Sequence, residues 1–122
     1  MAIQSYNDLR VYQVSYALAM DIFQLSKKFP KEELYSLTDQ IRRSSRSVTA
    51  NIVEGWAKRS YENIFKRHLM DAYGSCHETK LWLDFASDCQ YIVQEEHSRL
   101  SDSCIELGKM LYSLFENWKT YE

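Results

Sequence analysis

The segment that decides the fold, residues 37–55, is LTDQIRRSSRSVTANIVEG. Its apolar residues recur every three or four positions, with serine in the middle of the stripe: Leu37, Ile41, Ser44 or Ser45, Val48 and Ile52. That spacing is typical of one face of an α-helix. Small residues within the face allow a neighbouring helix to approach closely. The pattern predicts a helix from about Leu37 to the neighbourhood of Gly55, which is a plausible terminator. Continuation to Lys58 stays open.

Three further segments have the same apolar periodicity. They predict helices over about Asn7–Lys28, from after Ser60 to near Cys89, and over about Glu95–Lys119. Asn7 or Asp8 is expected to cap the first helix and Ser60 the third, while Pro30 stops the first. Gly74 lies inside the third helix, where glycine costs about 1 kcal/mol against alanine, so we expect a compensating close contact.

Four helices of about 25 residues joined by short connections predict an all-α fold, an antiparallel up-down-up-down four-helix bundle. Residues 1–122 are expected to form a single domain. The fourth helix has a regular heptad-like stripe, in which Leu107 and Leu111 should be fully buried. Only three glycines and one proline interrupt the chain, which favours long helices over sheets.

Composition favours a cytoplasmic protein with no membrane segment. Hydrophobic residues make up 45% and charged residues 26% of the chain. No apolar run approaches the roughly 20 residues that span a bilayer, and the N-terminus does not resemble a signal peptide. The three cysteines, an odd number without close spacing, are expected to be reduced thiols.

The first and fourth helices have more apolar residues than a bundle core needs. The surplus residues expected at an oligomer interface are Tyr12, Tyr16, Phe23, Ile105, Tyr112 and Phe115. A sizeable exposed apolar face usually marks an interface, which favours self-association. The alternative is a wide core in which these aromatic side chains lean inward.

Basic residues are concentrated in one stretch of a chain whose net charge is −2. Residues 42–67 contain two acids and seven bases, namely Arg42, Arg43, Arg46, Lys58, Arg59, Lys66 and Arg67. Phosphate-backbone binding to RNA or DNA is one interpretation. A solvated ladder of ion pairs with Asp39 is another. In a third, the basic half of one subunit pairs with the acidic half of the next.

No residue pattern predicts a metal site, a cofactor or a catalytic centre. Di-iron bundles use Glu-x-x-His motifs, and no glutamate here has histidine three residues later. His68, His77 and His97 are expected at the surface. Cys76 and Cys104 lie on core stripes, where free cysteine behaves as a small hydrophobe. We therefore expect a binding protein without enzymatic activity.

Several motifs resemble the four-helix-bundle family of 23S ribosomal-RNA intervening-sequence proteins, which includes accessory variability proteins of retroelements. The matching motifs are Asp8-Leu9, Phe29-Pro30, the run from Leu37 to Arg43, Ser47-Val48, Ala50-Asn51-Ile52, Glu54-Gly55, Arg59-Ser60, Phe65, Leu69, Ala72, Gly74-Ser75 and Glu78. Thr49 and Val53 depart from the family pattern, which often has proline and alanine there.

The resemblance implies a bundle that assembles into a homo-oligomeric ring, commonly a pentamer, with a basic surface suited to nucleic acid. In the retroelement branch the partners are a reverse transcriptase and RNA, so a nucleic-acid-binding protein is also a candidate partner. Asn51, Glu54 and Glu78 are the polar matches to the family motif, and a structural polar network is the preferred role for them.

Overall fold

The computed structural model describes residues 3–120, in which α-helices predominate. The helices are α1 (Arg10–Ser26), α2 (Leu37–Ala57), α3 (Glu62–Asp88) and α4 (Gln94–Asn117), with short 3-10 turns at Tyr6–Asp8 and Lys31–Glu33. Within residues 3–120 there is no β-strand. The predicted all-α class and the four helices are confirmed.

Contacts between helices show that neighbouring helices run in opposite directions. Across α2 and α3 the contacting pairs are Ser44–Thr79, Ser47–Ser75 and Asn51–His68. Across α3 and α4 they are Asp84–His97, Cys76–Cys104 and Tyr73–Tyr112. Across α1 and α2 they are Ser26–Arg42 and Ser15–Thr49. Asp21 of α1 and Lys28, just after its end, contact Arg99 and Glu96 of α4. For each pair of helices, the residue number rises along one helix as it falls along the other, so the bundle is up-down-up-down.

The core follows the predicted stripes. Leu107 and Leu111 of α4 are fully buried, as the heptad-like pattern predicts. Towards the C-terminal end of α4 the stripe is less protected, and Leu114 and Trp118 are only partly buried. Trp118 packs there against Trp56 and Phe65, with ring centroids 6.0 and 4.8 Å apart. This aromatic cluster closes the end of the bundle that contains the α2–α3 turn.

The predicted helix caps are wrong in both places. Ser5, which precedes the predicted cap, accepts a hydrogen bond from the Asn7 backbone N–H and caps the first 3-10 turn, whereas α1 begins only at Arg10. The N-cap of α3 is Tyr61, without a side-chain hydrogen bond. Backbone hydrogen bonds close the α2–α3 turn, including one of 3.0 Å from the Tyr61 N–H to the Lys58 carbonyl. Ser60 therefore lies within the turn.

The two glycines of the central helices have roles opposite to those expected. Gly55 does not end α2, which continues to Ala57; a Cβ at Gly55 would lie 2.8 Å from the His68 Cβ and 3.1 Å from the Phe65 ring. Gly55 thus permits the close approach of α2 and α3. At Gly74 a Cβ would meet nothing within 4 Å, so the expected compensating contact is absent from residues 3–120.

This contrast predicts opposite effects for two identical substitutions. Gly74→Ala should stabilise the fold by about 0.5–1 kcal/mol, because alanine restricts the unfolded chain and favours the helix. Gly55→Ala should have a net cost of about 1 kcal/mol, because overpacking at the His68 Cβ outweighs the same propensity gain. Urea unfolding followed by circular dichroism measures both. Equal stabilisation by the two substitutions would contradict the close contact at Gly55.

Candidate functional site

Two of the seven predicted basic residues, Arg42 and Arg46, lie on the side of α2 that faces α1. The Arg42 Nε donates a hydrogen bond of 2.7 Å to the Ser26 hydroxyl, and its guanidinium lies 4.8 Å from the centroid of the Phe23 ring. The Arg46 guanidinium lies 5.8 Å from the same ring. Stacking on an aromatic face is a common arrangement for arginine. Phe23 therefore orients both arginines at the α1–α2 surface.

Four other basic residues lie around the α2–α3 turn, at one end of the bundle. Lys58 Nζ lies 3.4 Å from His68 Nε2. The Arg59 guanidinium lies 4.1 Å from the centroid of the Trp56 ring and donates to the Trp56 carbonyl. Lys66 Nζ lies 3.6 Å from a Glu62 carboxylate oxygen, and Arg67 is exposed. From Arg46 to Lys58 the distance along α2 is about 18 Å at 1.5 Å per residue, so six of the seven residues form two separate groups.

Most of these basic side chains have no carboxylate partner among residues 3–120. Arg43 is exposed on α2, apart from both groups. Among the residues that the structure describes, only Lys66 of the seven forms a salt bridge with a carboxylate. Asp39 forms none with Arg42 or Arg43 there, so the interpretation as a ladder of ion pairs with Asp39 is wrong. The other six form no salt bridge with a carboxylate of residues 3–120.

Five of the six residues expected at an oligomer interface line two grooves. Tyr12, Tyr16 and Phe23 line a groove of about 460 Å³ between α1 and α2, beside Arg46. Ile105 and Tyr112 line a groove of about 660 Å³ between α3 and α4. The Phe115 ring is partly buried, with its centroid 6.1 Å from that of Tyr112. Because α1–α2 and α3–α4 are opposite sides of the bundle, the chain has two separate apolar faces.

The three polar residues of the family motif do not meet. Asn51 lies at the α2–α3 contact, where its Oδ1 is 3.1 Å from His68 Nδ1 and its amide donates to the Ser47 carbonyl. Glu54 is exposed and lines the α1–α2 groove. Glu78 is exposed and accepts a hydrogen bond of 3.0 Å from the Trp82 indole. Only Asn51 has the surroundings that a structural polar contact between helices requires.

Comparison with known proteins identifies the family. The family model for the 23S rRNA-intervening sequence protein matches residues 7–113. The chain belongs to this family. Among solved structures it is similar to a protein of unknown function from the S23 ribosomal protein family of Bacteroides thetaiotaomicron, with 28% identity, a TM-score of 0.80, and coverage of 88% of this chain and 96% of that chain. No curated protein matches the sequence.

In this member of the intervening-sequence family, two hydrogen bonds between hydroxyl groups join α2 to α3, and the sequence analysis did not predict them. The Thr79 hydroxyl donates a hydrogen bond of 2.9 Å to the Ser44 hydroxyl. The Ser75 hydroxyl donates one of 3.0 Å to the Ser47 hydroxyl. The serine and threonine residues at these positions of α2 and α3 are the only feature of the sequence that could have indicated this contact. Ser44 and Thr79 are buried, whereas Ser47 and Ser75 are half-buried. Hydroxyls that bond to each other at such positions avoid the penalty of an unsatisfied polar group and fix the register of the two helices.

The structure offers no metal-binding or membrane-spanning element among residues 3–120. No group of three or more histidine, cysteine, aspartate or glutamate residues in this range could hold a metal ion. His77 is exposed, while His68 and His97 are partly buried and contact Asn51 and Asp84. No helix in the same range is long and apolar enough to cross a bilayer.

Glu33 connects the two loops at the other end of the bundle. Its carboxylate accepts hydrogen bonds from the Ser36 and Tyr91 hydroxyls and from the Leu37 N–H, and these lower its pKa. The hydrogen bond to Glu33 and, less strongly, burial raise the pKa of Tyr91 to about 12. Tyr91 belongs to the α3–α4 connection, so this contact joins it to the α1–α2 connection.

The Glu33–Tyr91 contact should make stability depend on pH at both extremes. The lowered pKa of Glu33 predicts stability that is present above about pH 4.3 and is lost as pH falls through the folded-state pKa. The raised pKa of Tyr91 predicts stability that is present below about pH 10 and is lost as pH rises towards 12. The thermal midpoint of Glu33→Gln should therefore fall less at low pH than that of the unmodified protein. The thermal midpoint of Tyr91→Phe should fall less at high pH. If the thermal midpoints of both variants changed with pH in parallel with those of the unmodified protein, the result would contradict the contact.

Proposed function

We propose that this protein is a non-enzymatic, self-associating four-helix-bundle adaptor that binds the phosphate backbone of RNA or DNA, alone or within a nucleoprotein partner. The observation that supports it is the set of six basic side chains without a carboxylate partner among residues 3–120. Unpaired lysine and arginine side chains can displace the counterions of a phosphate backbone. Such contacts position a nucleic acid without reading its bases.

The residues at the α2–α3 turn are the best candidates for this contact. Lys58, Arg59 and Arg67 are exposed. The Trp56 ring holds the Arg59 guanidinium, which lowers the entropy that binding would cost this side chain. Exposed Arg43 extends the basic surface along α2. In a ring, the patch would be repeated on each subunit, which strengthens binding through avidity.

Arg42 and Arg46 support a second role, in self-association. They stack on Phe23, and Arg46 lines the same groove as Tyr12 and Tyr16. A partner seated in this groove would cover both guanidinium groups. The structural alternative, in which basic and acidic surfaces pair between subunits, therefore applies best to these two arginines, whereas the turn residues remain accessible.

A charge-reversal experiment tests nucleic-acid binding without altering the groove. Lys58→Glu with Arg67→Glu should weaken binding of labelled RNA or DNA roughly tenfold and lower the salt dependence, because phosphate contacts are lost. The control is Lys31→Glu with Arg99→Glu, which changes the net charge equally towards the opposite end of the bundle, at two exposed residues outside both grooves. Fluorescence anisotropy between about 50 and 200 mM salt measures both.

Three outcomes separate the alternatives. Weaker nucleic-acid binding by the Lys58→Glu, Arg67→Glu variant, with binding by the control variant unchanged, would support the proposal. Equal losses in both variants would indicate only a general effect of net charge. Absence of salt-sensitive binding in the unmodified protein would contradict nucleic-acid binding and leave self-association as the function of the fold.

A further inference from the structure

Two buried cysteines that are far apart in the sequence meet across α3 and α4. The Cys76 thiol donates a hydrogen bond of 3.1 Å to the Cys104 carbonyl. The two side chains occupy facing core positions on antiparallel helices, with exposed fractions of 1% and 3%. A disulfide requires two such facing positions with the sulfur atoms within reach of each other.

The pair lies at the floor of the groove between α3 and α4, which gives a small reagent a route to the sulfur atoms. Cys76 and Cys104 both line this groove of about 660 Å³. His77 and Lys80 line it as well. The positive charge of Lys80 favours a nearby thiolate, which is the reactive form of cysteine. The third cysteine, Cys89, is exposed and does not line this groove.

We propose that Cys76 and Cys104 form an oxidisable dithiol, a modification site that a hydroperoxide converts to an intramolecular disulfide joining α3 to α4. The Cys76 thiolate attacks one peroxide oxygen, the O–O bond breaks, and the leaving hydroxide takes a proton to become water. The Cys104 thiol then attacks the sulfenic sulfur of Cys76, and the S–O bond breaks to release a second water. Two thiols and one hydroperoxide thus give one disulfide; with hydrogen peroxide, the other products are two waters.

The surroundings of the two sulfur atoms assign their order of reaction. The pKa of Cys76 is lowered because the Cys104 thiol and the Gly108 backbone N–H hydrogen-bond to its sulfur, although burial opposes this. The pKa of Cys104 is raised by its hydrogen bond to Cys76 and by burial. Cys76 is therefore the attacking sulfur and Cys104 the resolving one, as expected when the thiolate is the nucleophile.

The folded full-length protein and its Ile105→Glu variant, in which no second subunit should cover the α3–α4 groove, are each treated with a small excess of hydrogen peroxide to test this site. Intact mass should fall by about 2 Da, the loss of two hydrogen atoms, and peptide mapping should link Cys76 to Cys104. Cys89→Ser should behave in the same way. In Cys104→Ser, Cys76 has no resolving thiol and should accumulate as a sulfenic acid, about 16 Da heavier and reactive with dimedone.

Exposed Cys89 is the internal control for the reagent. Oxidation of Cys89 while Cys76 and Cys104 stay reduced would overturn the proposal. A Cys76–Cys104 link that forms only after unfolding in urea would overturn it as well, because the folded geometry would then have no part in the reaction. Since the mapping uses the unmodified chain, the proposal stays testable even if a cysteine variant fails to fold.

Discussion

Leu111→Ala should lower the free energy of unfolding by about 2–5 kcal/mol, the usual cost of truncating a large buried side chain. Leu111 has no exposed surface and lies in the centre of the α4 stripe. Its truncation removes apolar contacts and leaves a cavity that rigid neighbouring helices fill only in part. The cost should be near the upper end of the range if α1 and α3 cannot move inward.

Leu81→Ala is the matched control for this experiment. Leu81 lies on α3 and is exposed. The same truncation there should change stability by about 0.5 kcal/mol or less. Urea unfolding at one fixed chain concentration measures both variants, because self-association couples stability to concentration. A loss below about 1 kcal/mol for Leu111→Ala would contradict the assigned register of α4.

The helices and the core could be predicted because burial imposes a period on the sequence. Each helix must place an apolar face against its neighbours, and that requirement repeats along its length. Helix ends depend on single local contacts instead. Gly55 illustrates the difference: its sequence position suggested a terminator, whereas its role depends on His68 and Phe65 of another helix. The position of α3 relative to α2 could not be derived from residues 37–55 alone.

The basic residues show a similar limit for the candidate site. Helix periodicity alone places Arg42 and Arg46 on one face and Arg43 about 100° away from Arg42, but it does not show which neighbouring helix each face meets. Stacking of Arg42 and Arg46 on Phe23 depends on the register of α1 against α2. The Cys76–Cys104 contact was equally inaccessible, because it joins positions on two helices through tertiary packing.

Light scattering at micromolar concentration should give a mass several times the 14.5 kDa of one chain. The reason is the pair of apolar grooves on opposite sides of the bundle, which a single chain leaves in contact with water. Tyr16→Glu in one groove and Ile105→Glu in the other should each reduce the mass towards that of one chain. Both residues are about half exposed, at 53% and 44%, so the fold should tolerate the changes.

Phe85→Glu is the control, because Phe85 is 50% exposed but lies outside both grooves. The light-scattering mass of the Phe85→Glu variant should equal that of the unmodified protein. Unchanged masses for the Tyr16 and Ile105 variants, or a single-chain mass for the unmodified protein, would contradict self-association through the grooves. The surplus aromatic residues would then only widen the core.

Mixing the Tyr16→Glu and Ile105→Glu variants determines how the grooves pair. In a head-to-tail ring, the α1–α2 groove of one subunit packs on the α3–α4 groove of the next. Each variant then keeps one intact face, so an equimolar mixture should form one-to-one pairs that cannot extend or close. If each groove packed on its own copy, each variant alone would already form a dimer through its intact groove. A mixture that stays at the single-chain mass would contradict the head-to-tail arrangement.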